Sequence, residues 1–303
     1  MILPKNVHVP VLLREVLEGL SVRKGKKYID ATVGGGGYLA AIVKSGGMVL
    51  GIDADSDAIL YAKKWLSGKD RYFVHGNFSA IRYFSEKYGF TNVSGIVFDL
   101  GVSSNQLEYA KRGFSYLKDE PLDLRFDKGK GKTAKNILNT YSKEALYEIF
   151  SKYSEELYSG AIAEATFRAR RLEGEIERTG QLVGIITGVL NKQYAKVPPR
   201  VREEKIRRSI ARIFQSLRIE VNEELVILKR AISDAIGLLE KGGKLCVVTF
   251  HSLEDRIVKT TIKEFEMNNI VRNMTQKPIL PSREEITRNR RSHSAKLRMA
   301  MKL

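Results

Sequence analysis

At 303 residues, 43% hydrophobic and 29% charged, the chain suits one large domain or two ordinary ones and has the balance of a globular protein. No apolar run approaches the ~20 residues a membrane helix needs, and the start, Met-Ile-Leu-Pro-Lys, lacks the parts of a signal peptide. A single cysteine, Cys246, excludes an internal disulfide and a cysteine-built metal site, which points to a cytoplasmic protein, while a net charge of +17 draws polyanions such as RNA or DNA.

In chain order, His8 to Leu17 reads as a short amphipathic helix with Leu12, Val16 and Leu20 on one stripe, His8 being structural or entry-lining. Tyr28-Ile-Asp-Ala-Thr-Val-Gly-Gly-Gly-Gly-Tyr38 then reads as strand, glycine loop and helix, and Gly51-Ile-Asp-Ala-Asp55 as the end of a second strand. Gly34 to Gly37 let a ligand approach bare backbone, and the helix from Tyr38 to Lys44 points free N–H groups at it. Asp53, about 20 residues on, is placed to accept hydrogen bonds from ribose hydroxyls. The consecutive glycines only loosely satisfy a dinucleotide spacing, and Asp30, just before them, suits a cationic ligand better than a pyrophosphate. S-adenosylmethionine, with its sulfonium and ammonium, is the favoured ligand; the plainer reading is a glycine turn in an unrelated α/β protein.

Further strands are expected at Arg71 to His75 and Val93 to Asp99, with a helix over Ala58 to Leu66. Alternation at this spacing predicts a doubly wound, mainly parallel α/β sheet, with Asp99 at the same edge as the glycine loop and Asp53. Phe78, just past the third strand, either covers an adenine ring or belongs to the core.

The βα rhythm stops from about 108 to 217. Helices are expected over Lys143 to Phe150, Glu155 to Arg171, Thr179 to Leu190 and Arg202 to Arg218. In the last, Ile206, Ile210, Ile213, Phe214 and Leu217 form the apolar face, and Arg202, Lys205, Arg208 and Arg212 lie opposite. The expected organisation is therefore a sheet domain over 1–107 and 218–303 carrying an inserted all-helical domain with a basic surface over 108–217. After the insert, a helix is expected over Leu225 to Leu239 and a strand over Lys244 to Phe250. A capping box at Ser252-Leu-Glu-Asp255 opens a further helix, and a solvated, phosphate-gripping basic tail runs over Arg288 to Arg298.

Several of these strings carry a resemblance. They are His8-Val-Pro-Val-Leu-Leu-Arg-Glu15, the glycine loop, His75-Gly-Asn-Phe-Ser79, Asp99-Leu-Gly-Val-Ser-Ser-Asn-Gln-Leu107 and Arg112-Gly-Phe-Ser115. Pro121-Leu-Asp-Leu-Arg-Phe-Asp127, Phe214-Gln-Ser-Leu-Arg-Ile-Glu-Val-Asn222, Phe250-His-Ser-Leu-Glu-Asp-Arg256 and the arginine-rich end complete the set. Together the chain resembles the ribosomal RNA small subunit methyltransferase H family, also called MraW. The resemblance implies a class I, Rossmann-like methyltransferase that uses S-adenosylmethionine to methylate N4 of a decoding-centre cytosine in the 16S rRNA of the small ribosomal subunit. By that similarity the cofactor-binding positions are Gly36, Gly37, Tyr38, Asp53, Phe78, Asp99 and Gln106. Asp99 is either the catalytic acceptor for the amine or a cofactor holder. Arg125, Arg208, Arg212 and His251 are candidate substrate contacts, with His251 positioning rather than catalytic, and no metal is needed for in-line methyl transfer.

Two departures stand out. Gly36-Gly37-Tyr38-Leu39 replaces the family's Gly-Gly-His-Ser, and Ile210-Ala-Arg-Ile-Phe-Gln215 replaces Ala-Thr-Arg-Thr-Phe-Gln. The competing functions are a DNA amino-methyltransferase, disfavoured because Asp99 is followed by Leu-Gly-Val and not a Pro-Pro-Tyr-type string, and a cofactor-binding ribosome assembly factor with weak catalysis. Monomer and homodimer stay open.

Overall fold

Apolar runs such as Met48-Val-Leu-Gly-Ile52 and Gly95-Ile-Val-Phe98 have no polar alternation, the mark of strands buried on both faces of a parallel sheet. A computed structural model describes residues 10–303 and shows those strands at the middle of a seven-stranded sheet. The chain divides into two compact units, one ending at Ser103 and resuming at Leu225, the other running from Ser104 to Glu224.

The first unit begins with helix α1 (Leu13–Leu20), strand β1 (Lys27–Asp30), α2 (Gly37–Lys44) and β2 (Met48–Asp53). It continues with α3 (Ser56–Trp65), β3 (Arg71–His75), α4 (Ile81–Lys87) and β4 (Val93–Asp99). The second unit holds α5 (Ser104–Tyr109), α6 (Ala134–Thr140), α7 (Lys143–Ser154), α8 (Ser159–Leu172), α9 (Thr179–Gln193) and α10 (Pro199–Asn222). Helix α11 (Glu224–Leu238) then leads to β5 (Leu239–Thr249), α12 (Ser252–Met267), β6 (Val271–Asn273), α13 (Arg283–Arg288) and β7 (Lys296–Lys302).

Strand order is β3-β2-β1-β4-β5-β7-β6, parallel from β3 through β5, with β7 antiparallel to both its neighbours. The order reverses between β1 and β4, so the carboxyl ends of those two strands flank the topological switch point where open α/β sheets bind ligands. Because side chains alternate along a strand, Ile96 and Phe98 pack with Leu228, Ile232 and Ile236 of α11 on one face. Val97 and Val248 pack with Val16, Leu20, Leu39 and Ile42 on the other. The Leu12–Val16–Leu20 stripe is buried as expected, although the helix itself starts at Leu13, and His8 lies outside the described residues.

Three expectations are corrected here. The basic segment 288–298 is not a tail: Arg290–Ser294 forms a 3₁₀ turn and Lys296 onward enters the sheet as β7, where Leu297 and Ala300 are fully buried. Arg298 tolerates its burial because Asp255 takes Nε at 2.6 Å and Nη2 at 3.1 Å. The cap of α12 is His251, not Ser252, since the imidazole Nδ1 accepts the Glu254 amide. The expected helix from Glu155 breaks at its start, where Glu155 is left-handed (φ 52) and closes α7, so that α8 begins only at Ser159.

In the helical unit, α10 packs on α6, α7 and α9, and Ile206, Ile210, Ile213, Phe214 and Leu217 are its buried face. Burying that face, at roughly 1.5–3 kcal/mol per large apolar side chain, is what holds a 24-residue helix of low intrinsic apolarity in place. Among the described residues no helix is long and apolar enough to cross a membrane.

Candidate cofactor site

The glycine loop owes its shape to two positions. Gly34 and Gly36 have φ of +49 and +84, and a Cβ at Gly36 would come within 2.7 Å of Leu66 Cδ1. At Gly35 a Cβ would meet nothing within 4 Å, so the backbone there faces open space. Helix α2 starts on this loop with no side-chain cap, leaving its first amides for a ligand.

Three carboxylates end neighbouring strands beside the loop. Asp53 at the end of β2 accepts Gly34 N at 2.7 Å through Oδ2 and Asp55 N at 2.8 Å through Oδ1. Each oxygen keeps a second lone pair for ribose hydroxyls. Burial pushes its carboxyl up to about 6 against the pull of those two amides. Asp30 at the end of β1 is fully buried and takes Thr32 N at 3.2 Å on Oδ1; the Leu39 amide of α2 adds a weaker pull, and Oδ2 has no partner of hydrogen-bond geometry. Burial first, and the nearby Asp53 charge after it, raise Asp30 to about 7.

Asp99 ends β4 with its amide donating to Thr32 Oγ1 at 2.6 Å and its own Oδ1 buried and unpartnered. The residue as a whole is half-buried, but the oxygen is sealed, and the carboxyl follows the oxygen: burial, then Asp30, then Glu254, lift it well above the usual range. No lysine or arginine among the described residues pairs with any of the three, in a chain of net charge +17. Unpaired buried carboxylates with free oxygens fit a cationic ligand and repel a pyrophosphate.

The other expected residues fall as follows. Gly36 caps α2 and Gly37 opens it. Tyr38 follows, but its ring is buried and its hydroxyl donates to the Val11 carbonyl, so only its backbone faces the loop. Phe78 is half-buried, set edge-on to Phe98 with ring centres 5.7 Å apart, one side in the core. Gln106 lies buried on α5 of the helical unit.

Arg125, also in that unit, is clamped to Asp123 through Nε at 2.8 Å and Nη2 at 2.9 Å. Arg208 pairs with Glu204 one turn back, and Arg212 pairs with the buried Glu156. His251 is nearly buried and sits at the end of β5. Its Nε2 is 3.0 Å from Glu254 Oε1 but too poorly aligned to count as a hydrogen bond.

Reading the sequence for site residues missed Thr32, which ties the β1 loop to β4, and Glu254, whose Oε2 accepts Phe250 N at 2.8 Å. Asp30 was singled out for charge but not placed among the binding residues. The only signal for Thr32 and Glu254 was proximity to the Asp30 and His251 strings.

The strand order, the glycine loop and the carboxylate trio together define an S-adenosylmethionine-dependent methyltransferase of the doubly wound class. The sequence profile of the MraW methylase family matches residues 5–303, and the chain belongs to that family. A ribosomal RNA small subunit methyltransferase H of Clostridium botulinum is 41% identical over 315 residues, covering 98% of this chain and 99% of the relative. One from Clostridioides difficile is 40% identical over 316 residues, covering 98% and 99%. Among solved structures, an rRNA methylase from Streptococcus thermophilus is similar at a TM-score of 0.45 and 10% identity, covering 100% of this chain and 99% of that one.

Proposed function

We propose that this chain transfers a methyl group from S-adenosylmethionine to the exocyclic N4 amine of a cytosine in 16S ribosomal RNA of the small subunit. The observation that carries the reading is the trio Asp30, Asp53 and Asp99 at adjacent strand ends, uncompensated by any lysine or arginine among the described residues. The substrate class rests on the family's relatives and on the net charge of +17.

When bound, the cofactor supplies a methyl group on a positively charged sulfur. Asp53 would hold the ribose, with the amides at the start of α2 and the Gly34–Gly37 backbone receiving the rest. A cytosine amine is a weak nucleophile, because its lone pair is delocalised into the ring. The protein therefore has to fix it about 3 Å from the methyl carbon and accept a hydrogen bond from it as charge develops. Asp99 Oδ1, buried without a partner, is the acceptor suited to that task. The base must leave its stack to reach the strand ends. His251, held by the α12 cap, is a positioning group for it, and a water suffices to take the proton.

Within the helical unit, Lys205, Arg207 and Arg208 are exposed on α10, and the Lys205 ammonium lies 5.2 Å from the Tyr194 ring centre. These are the groups assigned to phosphate contact; Arg212, already neutralised by Glu156, contributes mainly to holding α10 on the α7–α8 junction. The 108–217 insert is in this reading the RNA-binding part of the molecule. A labelled-methyl assay with small subunits and with naked 16S RNA tests it. Label on cytosine N4 is expected, and saturable cofactor binding without label would leave only an assembly factor.

A further inference from the structure

At the sheet's β3 edge, away from the carboxylates, lies a cluster of exposed tyrosines. Tyr72, Tyr83 and Tyr88 are 42%, 58% and 39% exposed. Tyr72 is the second residue of β3, at the end of the strand opposite to His75, which pairs with Asp53. Tyr83 and Lys87 are on α4, and Tyr88 closes it.

The rings are coupled to each other and to cations. Tyr72 lies 6.5 Å from Tyr88 and 5.3 Å from Phe90, centre to centre. The Lys87 ammonium is 5.8 Å from the Tyr83 ring and 6.0 Å from the Tyr88 ring, so one cation stands between two exposed aromatic faces. Lys27 is fixed nearby by the Gly89 carbonyl at 2.6 Å and lies 5.8 Å from the Phe90 ring. Lys87 has no carboxylate partner, and none of the three tyrosine hydroxyls has a partner within the protein among the described residues. By contrast Tyr28 accepts Arg23 N at 2.8 Å, Tyr38 holds Val11 and Tyr141 reaches Glu220 at 3.4 Å, whereas the exposed Tyr109 and Tyr147 lie singly and not in a cluster of rings.

Three large amphipathic rings thus gather at one edge, each at least 39% exposed and with its hydroxyl unused by the described residues. Exposed rings interleaved with unpaired lysines are what unstacked bases and phosphates bind: bases stack on the faces and ammonium groups meet the backbone. We propose that Tyr72, Tyr83, Lys87 and Tyr88 form a second RNA-contact surface, gripping a single-stranded or looped segment of the substrate RNA remote from the methylated base. The occupant is a polyanion because Lys27 and Lys87 lie against rings and meet no acid among the described residues, which leaves the cluster net cationic even with the exposed Glu86 of α4 counted. This rests on the reading that the substrate is RNA.

The test uses the full chain and a small-subunit rRNA fragment, with binding followed by anisotropy, cofactor affinity by calorimetry and self-association by sedimentation. Tyr83→Ala with Tyr88→Ala is expected to weaken RNA binding about tenfold with cofactor affinity unchanged, which also shows that the sheet is intact. Lys87→Ala is expected to lower the slope of log affinity against log salt by about one. Photocrosslinks from the RNA to Tyr83 or Tyr88 would place the strand there. RNA affinity within twofold of the parent in the double variant overturns the surface, and so does a loss of self-association with RNA binding intact. Failure of the parent protein to bind the RNA overturns the substrate reading instead.

Discussion

The carboxylate edge of the sheet and the helical unit treat acidic side chains in opposite ways. In the helical unit three covered acids face an arginine: Glu156 faces Arg212, Glu224 takes Arg218 at 2.7 Å and Asp123 takes Arg125 at 2.8 Å. Those acids are held at or below the ordinary range where a shift is resolved, as Asp123 and Glu156 show. At the sheet edge Asp30, Asp53 and Asp99 are covered without any such partner among the described residues and are raised. A chain with 52 lysines and arginines has cations enough to neutralise three more acids. Leaving these bare sets aside stability, which is what the proposed reading requires of a place where a cation arrives from outside.

The largest expected effect is on the bare side. Asp99→Ala removes the acceptor for the amine and should lower single-turnover methyl transfer by about 10²–10³-fold, with cofactor affinity less affected; near-normal turnover would take Asp99 out of the reaction. Arg212→Ala attacks the paired side. It leaves the buried Glu156 uncompensated and should destabilise the helical unit by about 3 kcal/mol in denaturant melts, whereas no measurable loss would mean the pair carries no structural weight. Asp53→Ala should weaken the cofactor by roughly 10–100-fold in calorimetry, from the loss of charge-assisted hydrogen bonds to the ribose. Arg208→Glu, at an exposed intrahelical pair, should weaken RNA only a few-fold and reduce the salt slope by about two for the reversed charge. If RNA affinity stayed unchanged, α10 would not be the phosphate-contacting face.

Much of this contrast was legible in the sequence. The glycine loop, Asp53 and Asp99 were placed at one edge by strand and helix spacing alone, and the apolar face of α10 by its period. What stayed hidden depended on tertiary pairing. The segment 288–298 reads as a solvated cationic run until Asp255 is seen neutralising Arg298, after which β7 has its place in the sheet. Tyr38 reads as a cofactor contact at the start of a helix until its hydroxyl finds Val11, 27 positions earlier. Helix α6 escaped because its Thr133–Asn136 capping box opens only a seven-residue segment, too short to show a period. The partner of Arg212, Glu156 at 56 positions' distance, likewise could not be read from a face of repeated cations.

The central claim, that a cation settles against the three bare carboxylates, has a direct thermodynamic signature. Asp30 and Asp53 have folded values of about 7 and about 6, above the ordinary carboxylate value, so the folded protein without ligand holds protons that the unfolded chain has released. Their contribution to stability is full at low pH and is lost as pH rises through that window. A bound cation favours the ionised forms, so cofactor affinity should run the other way, weakening as pH falls from about 7 toward about 5. Titrating S-adenosylmethionine calorimetrically near pH 6.5 in two buffers of different ionisation enthalpy measures it. Binding with net proton release to the buffer, reduced in Asp30→Asn, is the predicted result, whereas no binding, or binding with no proton exchange, would contradict the account.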